Sequence, residues 1–272
     1  ITVDAQILQS TDVVLGPNGV IYGSDALGGV IHFQTRNPRL GKPGVITRYG
    51  ASFRSPNQST GMHVDVEAAN ERFASLTSIS HARYGDLRMG GWRPHGDATW
   101  GLDTTYVAQI HGRDTVLRNA DPRLQVGSGY HQTDLLQKFK FPVGAGMVLL
   151  NCQYSTSSNV PRYDVTNDFS GGTHKWAQWD YGPQERLLAA ANFRHRLDWH
   201  DVQLAVQLDY QNIRETRIKR QFQSATQFTQ DEVVDVWGGS IGFSKRWYQG
   251  IEMNAGLTGT YNHVTSTAWA ND

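Results

Sequence analysis

Apolar and polar residues alternate with a period of two along most of the chain from about residue 45 onward. The clearest stretch has apolar or aromatic side chains at every second position: Val202, Leu204, Val206, Leu208 and Tyr210. The same alternation recurs around 62–68, 148–154 and 251–261. A period of two predicts β-strands with one apolar and one polar face. The clean runs have the roughly 9–11 residues that a tilted strand needs to cross a bilayer.

The pattern predicts about nine strands joined by links of alternating length. We place the strands near 45–54, 60–69, 72–83, 129–141, 146–157, 184–197, 201–217, 230–246 and 250–263. Long links are expected at 84–128, 158–183 and 218–229. Outer-membrane β-barrels combine short turns at the periplasmic end with long loops outside. The link lengths therefore favour such a barrel.

Three predicted strands, 72–83, 130–141 and 185–197, mix apolar and polar residues on both faces. Either their inner face packs on something within the barrel, or their phase is misread. A soluble β-sandwich or propeller also alternates and remains the alternative. Strands in soluble domains usually have about 5–6 residues, so the longer runs here favour a barrel with a wet interior.

Aromatic residues stand near the ends of the predicted strands. Trp199, Trp247 and Tyr248 flank short turns, whereas Tyr210 and Tyr261 lie toward the opposite ends. Tryptophan and tyrosine concentrate at the two interfaces of a membrane. We therefore interpret these residues as parts of interfacial girdles.

The amino-acid composition excludes several classes of protein. The 272 residues hold 25 basic and 25 acidic side chains, so no basic field argues for nucleic acid. Cys152 is the single cysteine, which excludes an internal disulfide framework. The mean hydropathy is −0.48, but membrane β-barrels hide their apolar face in every second residue. The chain begins with Ile1 and shows no signal peptide, and we expect it to be a fragment of a longer protein.

A glycine-rich stretch separates two strand-like runs between Val13 and Phe33. Such a turn can cradle phosphates, but a phosphate-binding loop needs Lys followed by Ser or Thr. Here Gly23 is followed by Ser24 and Asp25, and no dinucleotide fingerprint opens a helix. Nucleotide binding is therefore not expected.

The same stretch resembles the end of the plug domain of TonB-dependent outer-membrane receptors. The resemblance rests on Gly16, Pro17, Tyr22, Gly23, Ser24, Ala26, Gly28 and Gly29. Leu15 stands where the family commonly has an arginine that pairs plug with barrel. Residues 86–90, 132–138 and 181–184 are similar to segments of receptors from Bacteroidetes-type bacteria.

The resemblance implies an all-β fold: a fragment of a large antiparallel transmembrane β-barrel of about 22 strands, with the C-terminal end of an N-terminal plug domain. Residues 1–44 would end the plug, and residues 45–272 would form the first roughly nine barrel strands. It further implies an outer-membrane transporter of a Gram-negative bacterium, and no enzyme. Its cargo would be an iron chelate such as a ferric siderophore or haem. The TonB–ExbB–ExbD complex would supply energy through a segment that precedes this chain. The alternative function is that of a soluble β-rich ligand-binding module.

Two of the long links would face outward, and both are rich in aromatic residues and histidine. The candidate ligand-binding residues are Trp92, His95, His111, Tyr163, His174, Trp176, Trp179 and Tyr181. Aromatic rings can stack on a planar ligand, and a neutral imidazole can ligate haem iron. Arg88, Arg93 and Arg113 could meet an anionic siderophore. For each of these residues, ordinary loop packing is the alternative. We identify no catalytic set and no site for a resident metal.

Overall fold

The structure, a computed structural model, describes residues 3–16, 26, 28–92, 96–197, 202–247 and 250–271. Its strands, in chain order, are β1 (Leu8–Leu15), β2 (Gly29–Thr35), β3 (Gly44–Arg54), β4 (Ser59–Ala69), β5 (Ala74–Tyr84), β6 (Leu87–Arg88), β7 (Thr105–Ile110), β8 (Arg113–Arg118), β9 (Leu124–Gln125), β10 (Tyr130–Val143), β11 (Gly146–Ser157), β12 (Val160–Pro161), β13 (Phe169–Ser170), β14 (Thr173–His174), β15 (Trp176–Leu197), β16 (Val202–Gln221), β17 (Gln227–Arg246) and β18 (Glu252–Asn271). One short α-helix, α1 (Tyr163–Thr166), and 3₁₀ turns at Ala5–Ile7 and Ser55–Asn57 complete the described elements.

The main sheet is an antiparallel meander. Its neighbours run in the order β3, β4, β5, β10, β11, β15, β16, β17 and β18, with β12 paired to β15. Four two-stranded sheets accompany it: β1–β2, β6–β9, β7–β8 and β13–β14. Within the described residues, no helix has the length and apolarity to cross a membrane. The all-β antiparallel prediction is confirmed.

The last four strands of the meander are longer than the alternation predicts. β15 begins at Trp176, β16 continues to Gln221, and β17 begins at Gln227. The predicted long link at 218–229 is therefore wrong, since a short turn joins β16 to β17. The link predicted at 158–183 also ends earlier than expected, because β15 begins at Trp176. Trp176, Trp179 and Tyr181 therefore lie on a strand. These upper strand segments carry polar residues on both faces, so no alternation marks them.

The two faces of the sheet have reversed polarity. On β4, His63, Asp65 and Glu67 are buried, whereas Met62 on the opposite face is 73% exposed. The register carries this division across the whole sheet. The row Asp65, Ser78, Leu136, Gln153, Leu188 and Gln211 lies on the buried side. The neighbouring outer row joins Val66, Thr77, Gln137, Cys152, Ala189 and Tyr210. A polar inner face and an apolar outer face are typical of a membrane-spanning barrel wall.

An aromatic row crosses the outer face of β16, β17 and β18. The ring centroids of Tyr210 and Trp237 are 5.3 Å apart, and those of Trp237 and Tyr261 are 5.8 Å apart. Above this row the outer face becomes polar, with Asn212 and Asp235 next along their strands. The row therefore lies near the middle of long strands, where the apolar band ends. Of the other predicted girdle residues, Trp247 is exposed, and Trp199 and Tyr248 lie outside the described residues.

The described residues between 3 and 43 are called the N-terminal segment, and both of its ends pack on the inner face of β4, β5 and β10. Ile7 of this segment forms a buried cluster with Leu76 of β5 and Leu136 of β10. The mixed alternation of predicted strands 72–83 and 130–141 is thereby explained. Their inner faces carry apolar residues because they contact this segment.

An ion network joins the N-terminal segment to the wall. Arg36 Nη2 lies 2.5 Å from Asp65 Oδ2, and Arg39 Nε lies 3.2 Å from Glu67 Oε1. Arg48 of β3 bridges both carboxylates, at 2.8 Å and 2.9 Å. Buried carboxylates need such compensation because burial removes their hydration. Arg36 and Arg39 are the cations that the N-terminal segment contributes to this network.

The glycine-rich motif closes the β1–β2 hairpin. Gly16 has a φ of +69° and donates its N–H to Gly28 O at 3.4 Å. A Cβ on Gly29 would lie 2.5 Å from Val14 O, so only glycine fits there. Gly28 forms a bend, and Ala26 has no regular structure. Pro17, Tyr22, Gly23 and Ser24 lie outside the described residues.

Candidate ligand-binding site

A cavity of about 620 Å³ opens on the inner face of the long strands, above the aromatic row. Aromatic and cationic side chains from four elements line it, and we call this group the aromatic–cationic cluster: Arg162, Trp179, Tyr181, Arg217, Lys219 and Phe228. Trp179 and Tyr181 belong to the predicted ligand-binding set. Arg162, Arg217, Lys219 and Phe228 do not.

A β-bulge in β15 points the two aromatic residues inward. Lower on β15 the odd-numbered residues face outward, since Ala189 is opposite Tyr210. Between Tyr181 and Gln184 the pairing with β16 slips by one residue, so Tyr181 is opposite Arg217. A bulge turns the side chains beyond it to the other face of the sheet. Trp179 and Tyr181 therefore share the inner face with Lys219 and Arg217.

Gly182 is required at the bulge by close backbone contact. It has a φ of +133°, and a Cβ there would lie 2.8 Å from the Cα of Asn159. Glycine tolerates both the positive φ and the close approach of a second backbone. The chain after β11 consequently packs directly against β15 and brings Arg162 over the aromatic pair.

The rings and guanidinium groups of the cluster contact one another. Trp179 and Tyr181 form an edge-to-face pair with centroids 5.1 Å apart at 82°. Arg162 Cζ lies 4.6 Å from the Trp179 ring centroid and 5.6 Å from that of Tyr181. Arg217 Cζ lies 6.0 Å from the Tyr181 ring. These distances fall in the cation–π range and fix the orientation of the aromatic faces.

Arg162 is held by an ion pair with Asp164 in the first turn of α1. The hydrogen bond with Asp164 raises the pKa of Arg162, and the same bond lowers the pKa of Asp164. Its backbone N–H also donates to Trp179 O at 2.8 Å. The guanidinium is therefore positioned before any ligand arrives.

The two cations on β16 differ in their partners. Arg217 Nε lies 3.5 Å from Glu215 Oε1, and Arg217 Nη2 donates to Glu232 Oε2 at 3.4 Å. The Arg217 side chain is nevertheless 40% exposed. Lys219 is exposed and has no carboxylate partner among the residues that the structure describes. An anion with a planar aromatic part would meet Lys219, the exposed part of Arg217 and the rings.

Tyr163 and His174 brace the loops instead of facing this cavity. The Tyr163 hydroxyl donates to Asp103, and burial together with this carboxylate raises the pKa of Tyr163. His174 is 3% exposed, its Nδ1 lies 3.3 Å from Thr166 O, and its Nε2 lies 3.0 Å from Thr105 Oγ1. A carbonyl only accepts, so Nδ1 donates and Nε2 accepts from the hydroxyl. Both ring nitrogens are engaged.

The other predicted ligand residues lie apart from the cluster. Trp92 is 86% exposed, and His111 is exposed at the tip of the β7–β8 hairpin with a φ of +48°. Trp176 is half-buried and contacts the ammonium of Lys175. His95 lies outside the described residues.

The cations proposed for an anionic siderophore are also elsewhere. Arg88 pairs with Asp121, Arg113 is exposed at the start of β8, and Arg93 lies outside the described residues. Arg217 is the last residue of the predicted strand 201–217, and Lys219 lies beyond that predicted end, on β16 of the structure. Extending the prediction by two residues would have placed Lys219 on the same face as Arg217.

An ion pair anchors the β7–β8 hairpin to the turn between β16 and β17. Arg220 Nη1 and Nη2 each lie 2.7 Å from Asp114, and Gln223 N donates to the same carboxylate at 2.8 Å. The hydrogen bond from Arg220 is the main cause of a lowered Asp114 pKa. The described residues include no group of three or more His, Cys, Asp or Glu side chains placed to hold a metal ion.

No family model matches the chain, and neither does any curated protein. Solved structures do match. The copper transporter OprC aligns with a TM-score of 0.67 and 14% identity, covering 97% of this chain and 35% of that one. The ferric citrate transporter FecA aligns with a TM-score of 0.64 and 16% identity, covering 99% and 36%. The ferric enterobactin receptor PfeA of Pseudomonas aeruginosa aligns at 0.55 and 12% identity, covering 98% and 45%. The chain thus spans little more than a third of the first two proteins.

Proposed function

From a fold shared with TonB-dependent outer-membrane receptors, we propose that this chain is part of an active transporter that imports an anionic metal chelate. The aromatic–cationic cluster carries this proposal. It lies at the end of the inner face that is connected by long loops, where an external ligand would arrive. Its rings offer stacking surfaces, and Arg217 and Lys219 offer charge for a carboxylate or phenolate.

The two parts of the chain would have different roles in the proposed transporter. Residues 1–44 would end a plug that obstructs the lumen, and residues 45–272 would begin the barrel around it. The network of Arg36 and Arg39 with Asp65 and Glu67 supports this assignment, because it fastens the segment to the inner wall. Import would then need the TonB–ExbB–ExbD complex to displace the plug.

Within the proposed cargo class, a ferric siderophore with aromatic groups is favoured over haem. Ligation of haem iron needs an imidazole nitrogen that is free to bind. His174 uses both ring nitrogens inside the loops, and none of the histidines that the structure describes lines the cluster cavity. The solved relatives include transporters and receptors named for copper, ferric citrate, ferric enterobactin and ferric yersiniabactin.

Uptake by the complete receptor tests the proposal. Cells that lack their own siderophore receptors would express it and be offered radiolabelled iron on aryl, hydroxamate and citrate chelators, and as haem. We expect uptake of an aryl chelate that disappears in a strain without TonB. Equal uptake in both strains would contradict active transport. A receptor recovered in the soluble fraction would instead favour the soluble binding module.

A further inference from the structure

A groove interrupts the apolar outer face of the wall, on the side opposite the lumen. Its floor consists of Cys152, Ala189 and Ala191 on β11 and β15. Its walls are larger side chains: Phe139, Leu150, Leu208, Tyr210 and Trp237. The groove has a volume of about 680 Å³. We call it the outer-face groove.

The register explains the depression. Ala189 lies between Cys152 and Tyr210, and Ala191 lies between Leu150 and Leu208. The next outer row below is filled by large side chains: Phe141, Val148, Phe193, Val206 and Ile241. The groove is therefore confined to the rows above this one.

Polar groups mark the upper end of the groove. The Tyr210 hydroxyl donates to Asp235 Oδ1 at 2.7 Å, and Asn212 Nδ2 donates to the same atom at 2.8 Å. Gln137 lines the groove at the level of Tyr210, and the row below it, with Phe139 and Ala191, is apolar. The arrangement has a polar end toward the long loops and an apolar end toward the middle of the band, which matches an amphipathic molecule.

We propose that the outer-face groove binds one acyl chain of an outer-leaflet lipid, with the lipid's polar head at the level of Tyr210, Asn212 and Asp235. The groove is continuous with the lipid-facing band and lies in its upper half, so lipid reaches it directly. Water is a poor occupant because an apolar cavity gives it no hydrogen-bond partners. The inference depends on the barrel fold and not on the proposed cargo.

Native mass spectrometry of the complete receptor in mild detergent tests the lipid site. We expect the wild-type protein to retain one lipid per copy. Ala191→Leu, which fills the floor, should lower the retained fraction by about tenfold, equivalent to about 1.4 kcal/mol. Ala51→Leu is the matched control, since Ala51 faces outward on β3 opposite Met62 and outside the groove. It should retain lipid like the wild type.

Cys152 gives a second readout within the groove itself. Its thiol is free and exposed, and a bound chain should shield it from a maleimide. Removing lipid should accelerate labelling at Cys152, as located by peptide mapping, in the wild type but not in Ala191→Leu. If Ala191→Leu fails to assemble, Ala189→Val provides a smaller filling of the same floor. Equal lipid retention in all variants, or a wild-type dimer that Ala191→Leu dissociates, would overturn the proposal.

Discussion

Arg217 is the residue on which the proposed ligand site most depends. Its side chain lines the cavity and is 40% exposed, so a bound anion would compete with Glu215 and Glu232 for the guanidinium. Arg217→Ala should weaken binding of the transported chelate by roughly tenfold to a hundredfold, because a hydrogen bond to a charged group contributes about 1.5–3 kcal/mol. Quenching of tryptophan fluorescence in the complete receptor would measure the affinity for the chelate.

Arg214 on the same strand is the matched control for this change. It lies on the outer face, where its guanidinium is 3.0 Å from Asp231. Arg214→Ala should leave the affinity unchanged. If both substitutions weaken binding equally, the effect is general destabilisation and the assignment of Arg217 is wrong.

The ion pair between Asp114 and Arg220 should make the attachment of the β7–β8 hairpin dependent on pH. Its carboxylate is 2% exposed and its pKa is lowered by Arg220, so the folded state favours the ionised form. A lowered pKa gives stability that is complete above the ordinary carboxyl value of about 4 and is lost as the pH falls below it. Hydrogen exchange of residues 105–118 should therefore accelerate below about pH 4.

Asp114→Asn should produce the same acceleration at neutral pH and remove its pH dependence. Asp97 serves as a control because it lies in the same long loop and accepts hydrogen bonds from the backbone of its near neighbours 99 and 100. Unchanged exchange in Asp114→Asn would show that the hairpin is held by other contacts.

The outer and inner faces of a strand should differ in how well they tolerate a charged side chain. A pair of substitutions on β16 can measure this difference. Val206 faces outward opposite Ile241 in the middle of the apolar band, and Gln207 faces inward. Val206→Arg should destabilise the barrel by about 2–4 kcal/mol, the cost of a cation at the bilayer midplane, whereas Gln207→Arg should be mild. Urea unfolding in lipid vesicles would compare them, and equal tolerance would contradict the barrel.

The lower parts of the strands could be predicted from the sequence because lipid imposes strict alternation there. Every second residue from Val202 to Tyr210 is apolar or aromatic, and in the structure these residues share the outer face. Above Tyr210 water meets both faces, so the constraint disappears and the predicted ends of β15, β16 and β17 are wrong. The ligand site lies in this upper region. Trp179 and Tyr181 were recognisable as aromatic residues, but their shared face depends on a bulge that no periodicity marks.

At the scale of the whole molecule, Asp65 joins three parts of the chain. It contacts Arg36 of the N-terminal segment, Arg48 of β3, and His63 of its own strand at 3.0 Å. Asp65→Asn would leave two guanidinium groups without their shared counter-charge. We expect a loss of about 3 kcal/mol in the stability of the contact between segment and wall, since breaking a buried pair is costly.

Hydrogen exchange across β2 and β4 in the complete receptor would detect this loss. Asp12→Asn is the control, because Asp12 makes one exposed hydrogen bond with Gln34 at 3.3 Å. Unchanged protection of β4 in Asp65→Asn would show that other contacts, such as the packing around Ile7 and the Arg39–Glu67 pair, hold the segment.

The wall is also uneven in height. β3, β4 and β5 have 11 residues each, whereas β16, β17 and β18 have 20. Strands rise about 3.3 Å per residue, so the longer ones extend well beyond the aromatic row. The cluster is built on this taller part and stands clear of the bilayer.

The slip in pairing at Gly182 has a consequence for how such a protein can change over generations. Losing or gaining one residue there would turn Trp179 and Tyr181 together from one side of the wall to the other. The strand below would keep its pairing, because the slip is confined to the stretch between Tyr181 and Gln184. A single codon could thus change which side chains line the cavity while the pairing of the lower strands stays the same. In the proposed transporter, insertion or deletion at this point would be a route to a different cargo.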